Sequence, residues 1–136
     1  MITFNSLTIA LPAIDQAAVA AWIGRVARAH DRVVGDLTYV FCSDEELLDI
    51  NRQYLQHDYY TDIITFDYSR GKVIAGDLYL SPQTSADNAQ MLGKPVDEEL
   101  HRVIVHGVLH LVGINDKGPG EREVMEAAED AALAMR

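Results

Sequence analysis

The feature that most constrains the fold is an apolar segment between Pro95 and Gly113 that also carries His106 and His110. Its apolar positions cover much of the circumference of a predicted helix, which is typical of a helix buried on most sides. We therefore expect this segment to be the central helix of the protein. Since residues four apart share one helix face, the two imidazoles should lie one turn apart on the same side.

Two imidazoles in this arrangement can bind one metal ion together. Gly113 ends the predicted helix and lets the chain turn back, so that Asp116 can supply a third ligand. Two histidines and one carboxylate form a known ligand set for catalytic zinc, in which the fourth position is left to water. The pattern therefore indicates metal-assisted hydrolysis.

Alternatives stay open for these side chains. The histidines can instead be core residues paired with backbone or carboxylate groups, although each then needs its own partner in a dry environment. Asp116 can instead be a solvated loop residue beside Lys117. Other candidates for the third ligand, close in sequence or through space, are Asn115, Glu121, His57, Asp62 and Asp77.

The residue directly after the first histidine argues against one class of zinc hydrolase, the proteases. Zinc proteases place a glutamate general base directly after the first histidine, and that position is Gly107 here. Peptide hydrolysis by that route is therefore disfavoured. Glycine inside a helix costs about 1 kcal/mol relative to alanine. Two explanations are open for Gly107: another group approaches the helix closely there, or the glycine is a tolerated accident.

The composition predicts one soluble, cytoplasmic domain. The chain has 136 residues, which fits a single domain, and 49% of them are hydrophobic, enough for a core without cross-links. Cys42 is the only cysteine, so no intrachain disulfide can form, which fits a reducing compartment. No segment resembles a secretory signal or is long and apolar enough to span a bilayer.

The charge of the chain argues against a nucleic acid as partner. It has 11 Lys and Arg against 21 Asp and Glu, a net charge of −10, so nucleic acid is repelled at long range. An RNA substrate would require a local basic patch or a bound cation. The candidate phosphate contacts are Arg52, Arg70, Lys72, Lys94, Arg102 and Lys117. The most notable of them are Arg102, one turn before His106, and Arg70 and Lys72, on a predicted hairpin turn.

The first half of the chain predicts alternating strands and helices. Asp15 is a predicted helix cap, and Ser43 with Glu46 forms a predicted capping box. The predicted elements are a strand from Ile2 to Ala10, a helix from Asp15 to about His30, a strand from Val33 to Cys42 and a helix from Ser43 to about Leu55.

The second half predicts a β-hairpin followed by three helices. A turn signal at Ser69–Lys72 separates two β-rich runs, and Ser81-Pro82 is typical of a helix start. The predicted elements are strands from Thr61 to Tyr68 and from Val73 to Leu80, and helices from Ser81 to Gly93, from Pro95 to Gly113 and from Glu121 to Met135.

The order β-α-β-α-β-β-α-α-α predicts an α+β single domain. Its core would be a mixed four-stranded sheet with about five packed helices. Acidic residues cluster in the Glu121–Asp130 region of the last helix. We expect them to form a solvated helix face.

Four segments of the chain resemble the YbeY endoribonucleases, also called rRNA maturation factors. The run from His106 to Gly113 matches the family signature H-G-x-L-H-L-x-G. Ile50–Tyr54 is similar to the L-N-x-x-Y element, Thr61–Phe66 to the T-D-V-L-S-F strand, and Gly76–Leu78 to the G-D-I strand. The four elements occur in the family's order, a more specific signal than an isolated histidine pair.

The resemblance implies a fold, an activity and a site. The fold would be a mixed sheet with surrounding helices. Residues 1–136 would be a single metal-dependent endoribonuclease domain, specific for single-stranded RNA. It would act in maturation of the 3′ end of small-subunit rRNA and in ribosome quality control, with the ribosomal subunit or its proteins as partners. His106, His110 and Asp116 would bind Zn²⁺ and form the catalytic centre, while Arg102, Arg70 and Lys72 would hold the RNA.

Two positions depart from the family pattern. The family pattern ends G-Y-D-H with histidine as third ligand, and Asp116 stands at that histidine's position. Aspartate can bind zinc at about 2.0–2.2 Å, and its charge would make the metal less electrophilic. The family also has an arginine, implicated in activity, directly after the tyrosine of L-N-x-x-Y, where this chain has Leu55 after Tyr54.

Two other functions agree with these residues. The first is a non-catalytic ribosome-assembly or RNA-binding factor, in which the metal organises the fold and Leu55 marks lost catalysis. The second is a metal hydrolase for another phosphoester or an amide. Metal removal would only lower stability in the first case, and a substrate panel would identify the second.

Overall fold

A four-stranded sheet flanked by helices forms the frame of the protein in a computed structural model, which describes residues 1–57 and 61–136. The element order and the α+β class are those predicted from the sequence. In chain order the elements are β1 (Ile2–Ser6), α1 (Gln16–Ala29), β2 (Val33–Phe41), α2 (Asp44–Leu55), β3 (Ile63–Asp67), β4 (Val73–Leu80), α3 (Pro82–Leu92), α4 (Val96–Leu111) and α5 (Glu121–Leu133).

The sheet is mixed and has the strand order β1-β2-β4-β3. β1 and β4 both run parallel to β2, whereas β3 runs antiparallel to β4. The predicted hairpin of β3 and β4 is therefore confirmed. β3 lies at one edge of the sheet, so that among residues 1–57 and 61–136 its backbone has a neighbouring strand on one side only.

Local sequence signals account for several helix ends. The side chain of Asp15 accepts a hydrogen bond from the backbone N–H of Ala18 at 3.1 Å. Ser43 and Glu46 form both hydrogen bonds of a capping box at the start of α2. Gly93 follows α3 with a φ of 67°, a left-handed conformation that favours glycine at a helix end.

The first strand is shorter than predicted. It ends at Ser6 rather than at Ala10, because its parallel register with β2 ends at the pair of Ser6 and Phe41, where β2 itself ends. β2 also ends one residue before the predicted Cys42. The last helix ends at Leu133 rather than at Met135. Strand length here depends on the partner, which the alternation of side chains does not reveal.

Helix α4 is the central helix, as predicted. Most of its side chains are buried, including Leu100, Ile104 and Val108. A Cβ atom built on Gly107 would lie 2.4 Å from Cδ2 of Leu78, so the helix and the sheet approach too closely there for a side chain. Close approach, and not a tolerated accident, therefore accounts for this glycine.

Among residues 1–57 and 61–136, no helix has both the length and the hydropathy that a membrane crossing requires.

Two buried aromatic side chains join helices to the rest of the core by their polar atoms. The hydroxyl of Tyr39 on β2 donates to the carbonyl oxygen of Ile104 on α4 at 2.9 Å. The indole N–H of Trp22 on α1 donates to the carbonyl oxygen of Ala132 on α5 at 2.8 Å. Both side chains also pack in the main hydrophobic core, so they fix the positions of α4 and α5 relative to the sheet.

We expect Tyr39→Phe to lower the free energy of unfolding by about 1 kcal/mol, because it removes one buried hydrogen bond and little packing. Urea unfolding would measure the change. Tyr68→Phe is the matched control, because Tyr68 is exposed and its hydroxyl lies at 3.3 Å from Asp77 at the surface. Equal losses in the two variants would contradict a particular role for the contact between Tyr39 and Ile104.

Candidate metal centre

Three potential ligand atoms converge at the end of α4. The Nε2 atoms of His106 and His110 are 3.0 Å apart. The Oδ2 atom of Asp116 lies 3.4 Å from Nε2 of His106 and 3.7 Å from Nε2 of His110. Ligand atoms of one tetrahedral zinc ion are about 3.3 Å apart, given zinc–ligand distances of about 2.0–2.1 Å. The donor spacing therefore fits a single zinc ion.

The end of α4 produces this convergence. Four residues separate the histidines, and their rings meet edge to face with centroids 4.6 Å apart. After the helix, Gly113 has a φ of 102°, which a side-chain-bearing residue rarely adopts. The chain reverses there, and the N–H of Ile114 donates back to the carbonyl oxygen of Leu109 at 3.0 Å. This reversal returns Asp116 to the histidines.

The cluster is half-buried and open to solvent on two sides. Side-chain exposure is 18% for His106, 31% for His110 and 25% for Asp116. One cavity of about 280 Å³ is lined by His106, Asp116 and residues of α5. The second cavity, of about 350 Å³, runs beside the edge strand β3 and is called the β3 groove here; its lining includes Leu55, Asp62, Thr65, Asp67 and Lys117 beside the three cluster residues.

The pKa values of the two imidazoles are shifted in opposite directions. Burial lowers the pKa of His106, but the hydrogen bond and the negative charge of Glu129 outweigh burial, and the pKa is raised overall. Burial and the neighbouring His106 lower the pKa of His110. Therefore His110 is the imidazole that more readily presents a neutral nitrogen, which a metal ion requires.

Glu129 is a component of the site that the sequence analysis did not identify. Its Oε2 atom lies 2.6 Å from Nδ1 of His106, and its Oε1 atom accepts from Nη1 of Arg102 at 2.9 Å. The prediction of a solvated acidic face is wrong for this residue, which is buried. The available signal was its spacing, since Glu129 lies on the α5 stripe of the buried residues Met125 and Ala132.

The three predicted phosphate contacts lie in different places. Arg102 points toward α5, where its guanidinium bridges Glu129 and Asp130 at 2.9 and 2.7 Å. Arg70 and Lys72 are on the β3–β4 turn, as predicted, and Nζ of Lys72 lies 3.1 Å from Asp31. Neither of these two lines the cavities beside the cluster.

The rival histidine, aspartate and glutamate ligands are not part of the cluster. In the described part of the chain, the group of three or more potential metal ligands consists of His106, His110 and Asp116. Asp62 lines the β3 groove but lies outside this group. Asp77 accepts a hydrogen bond from Tyr68 on the sheet. Asp116 is therefore the third donor that the geometry favours.

Two imidazoles and a carboxylate at a half-open position are the donor set of a hydrolytic metal centre. Sequence comparison gives the family: a family model described as endoribonuclease YbeY matches residues 8–135. The chain therefore belongs to the YbeY endoribonuclease family.

Individual relatives agree with this assignment. An endoribonuclease YbeY of Bacteroides fragilis is 56% identical over 135 residues, covering 99% of this chain and 97% of the relative. That of Phocaeicola vulgatus is also 56% identical over 135 residues, covering 99% and 98%. A solution structure of a Thermotoga maritima protein has a TM-score of 0.67 at 21% identity, covering 99% of this chain and 88% of that one, and it supports the fold alone.

We expect the purified protein to retain one equivalent of a metal ion and His106→Ala to lose it, because two donors hold a metal ion far less tightly than three. Elemental analysis after dialysis would measure the content. His30→Ala is the control, since His30 lies at the end of α1, outside the cluster. Full metal content in His106→Ala would contradict the assignment of this centre.

Proposed function

We propose that the protein is a metal-dependent endoribonuclease that cleaves single-stranded RNA, in which residues 1–136 act as one domain. The observation that carries the proposal is the convergence of His106, His110 and Asp116 beside the open β3 groove. Family membership supports the reaction, because the relatives at 56% identity are named endoribonucleases. The phosphodiester bond of the RNA would be hydrolysed at these three residues.

Zinc is the metal that we propose, because imidazole nitrogen and carboxylate oxygen are ligands that it accepts in catalytic centres. His106 and His110 would bind by their Nε2 atoms and Asp116 by a carboxylate oxygen. Zinc bound there would polarise a phosphate oxygen and lower the pKa of a bound water toward about 7. The side chains orient this chemistry toward the β3 groove, where the cluster is open to solvent.

The β3 groove is the path that we propose for the RNA strand. The groove is lined by the apolar Leu55 and by residues of the edge strand β3, whereas Asp62 and Asp67 add negative charge. Among the described residues that line it, Lys117 is the one Lys or Arg. A dication at the cluster would therefore be a large part of the local positive charge that an acidic chain needs to hold a phosphate.

The basic residues of the β3–β4 turn would contact RNA beyond the groove. Arg70 and Lys72 both lie on this turn, and the ion pair that the Lys72 ammonium would exchange for a phosphate, with Asp31, is exposed. Arg102 would have to leave two carboxylates to bind a phosphate, so we expect its contribution to RNA binding to be smaller.

We propose ribosomal RNA as the substrate, with cleavage at the 3′ end of the small-subunit rRNA and a role in ribosome quality control. The resemblance of four ordered motifs supports this assignment. Ribosomal proteins, many of which must be basic to bind RNA, would also reduce the repulsion between this chain and RNA. Such a substrate places the protein in the cytoplasm.

We expect His110→Ala to lower the cleavage rate of single-stranded RNA by about 10²-fold or more, because losing the metal removes several kcal/mol of transition-state stabilisation. Gel analysis of a labelled RNA oligonucleotide would measure the rate, with its duplex as the less reactive substrate. His30→Ala serves again as control.

Two outcomes would contradict this proposal in different ways. Cleavage unaffected in His110→Ala would show that the catalytic centre lies elsewhere. RNA that is bound but never cut, with metal removal lowering only thermal stability, would favour a non-catalytic assembly factor. The position of Leu55 in the groove, where the family pattern has arginine, makes the second outcome worth testing directly.

We expect Leu55→Arg to strengthen RNA binding at low salt, because it places one cation in the groove where Leu55 is 40% exposed. The plot of log affinity against log salt should become steeper by about 0.7, the value for one additional phosphate contact on a single strand. Fluorescence anisotropy of labelled RNA would measure it.

Leu92→Arg is the matched control for this experiment. Leu92 is an exposed leucine at the end of α3 that does not line the groove, so the variant changes the net charge equally. Identical salt dependence in the two variants would contradict the β3 groove as the path of the RNA.

A further inference from the structure

The buried carboxylate of Glu129 joins the metal cluster to helix α5. We propose that Glu129 is a positioning residue, which holds the ring of His106 so that Nε2 faces the metal, and that Arg102 holds Glu129 in turn. This inference rests on the proposed function, because it requires a metal ion at the cluster. It assigns a role to a side chain that is not itself a ligand.

Hydrogen-bond chemistry defines which nitrogen of His106 carries the proton. An ionised carboxylate can only accept, so the contact of 2.6 Å between Oε2 of Glu129 and Nδ1 of His106 requires Nδ1 to donate. In the neutral ring Nε2 then has the free lone pair. Nε2 is also the atom that lies near His110 and Asp116, so the tautomer selected by Glu129 is the one that can bind the metal.

Both oxygens of the Glu129 carboxylate have partners, and the group is nearly inaccessible. Oε2 meets His106, and Oε1 accepts from Arg102 at 2.9 Å, while the side chain is 8% exposed. A buried carboxylate with two fixed partners cannot rotate without leaving a charge unpaired. The ring of His106 is therefore held in one orientation by a rigid neighbour.

Arg102 pairs with the carboxylate of Glu129 at its buried position. Its Nη1 and Nη2 atoms bind Glu129 and Asp130, which places a permanent positive charge beside the carboxylate. Arg102 and His106 are four residues apart on α4, so the same helix face presents both partners to Glu129. The arrangement requires α4 and α5 to pack in one register.

The consequence concerns metal affinity. Carboxylates that orient a ligating histidine typically contribute about 10–100-fold to metal binding or activity. Two of the residues in this chain of contacts were candidates for other roles from sequence, Arg102 for RNA binding and Glu129 for a solvated surface. In the role proposed here, loss of the Arg102 guanidinium lowers zinc affinity more than it changes the KM for RNA.

The test is the dissociation constant for zinc, measured by competition with a chromogenic chelator at fixed pH in the full chain. We expect it to rise about tenfold in Glu129→Gln, which keeps the shape but loses the charge, and up to about 100-fold in Glu129→Ala. Glu123→Gln is the matched control, since Glu123 is an exposed glutamate on the same helix, and its constant should stay within about threefold of wild type.

A second measurement keeps the inference testable if the Glu129 variants fail to fold. In the unaltered, metal-free protein at alkaline pH, the ¹⁵N spectrum of the His106 ring should show the Nδ1–H tautomer. Assignment of the spectrum uses His106→Gln. The Nε2–H tautomer would overturn the role of Glu129 whatever the variants do.

The outcomes separate this inference from the proposed function. Zinc bound equally by wild type, Glu129→Gln and Glu129→Ala would overturn the positioning role and leave the metal centre intact. Failure of the wild type to bind zinc would overturn both. Tight zinc binding that weakens in the Glu129 variants, in a protein without ribonuclease activity, would support the positioning role and contradict the proposed reaction.

Discussion

The close packing of α4 against the sheet is the contact on which the rest of the structure depends. At Gly107 the helix approaches Leu78 of β4 and Ile63 of β3 so closely that no side chain fits between them. Helix α4 is thereby buried on most of its surface, and the hydroxyl of Tyr39 holds its backbone from the sheet side. One strip of the helix stays partly exposed, and that strip carries His106 and His110.

The same packing explains why the cluster lies beside an opening. β3 is the edge strand, so the sheet ends near the histidines and the β3 groove forms between that edge and the loop after α4. Gly113 lets this loop reverse and bring Asp116 back. On its other side the cluster contacts α5 through Glu129. The pair of imidazoles therefore lies between the hydrophobic core, the open groove and a buried carboxylate. This environment suits a hydrolytic metal centre, because the groove admits substrate and the carboxylate orients a ligand.

The negative net charge of the chain constrains how it can bind RNA. A chain with a net charge of −10 that acts on RNA needs its positive charge concentrated where the substrate lies. Arg102 does not supply it in this structure, because its guanidinium is bound to Glu129 and Asp130. Lys117, the turn residues Arg70 and Lys72, and the metal ion carry this requirement in the proposed function. In the same proposal, ribosomal proteins would supply the rest.

The element order, the capped helix starts, the hairpin and the shared face of His106 and His110 could be predicted from the amino-acid sequence. They depend on local periodicity and turn chemistry. The end of β1 follows from tertiary packing, since strand length depends on the partner strand. The same is true of the approach of Asp116 to the histidines, the position of Leu55 in the groove and the burial of Glu129. These features depend on how α4, α5 and β3 pack against one another. Such contacts join residues far apart in the chain, and the local sequence pattern predicts them poorly.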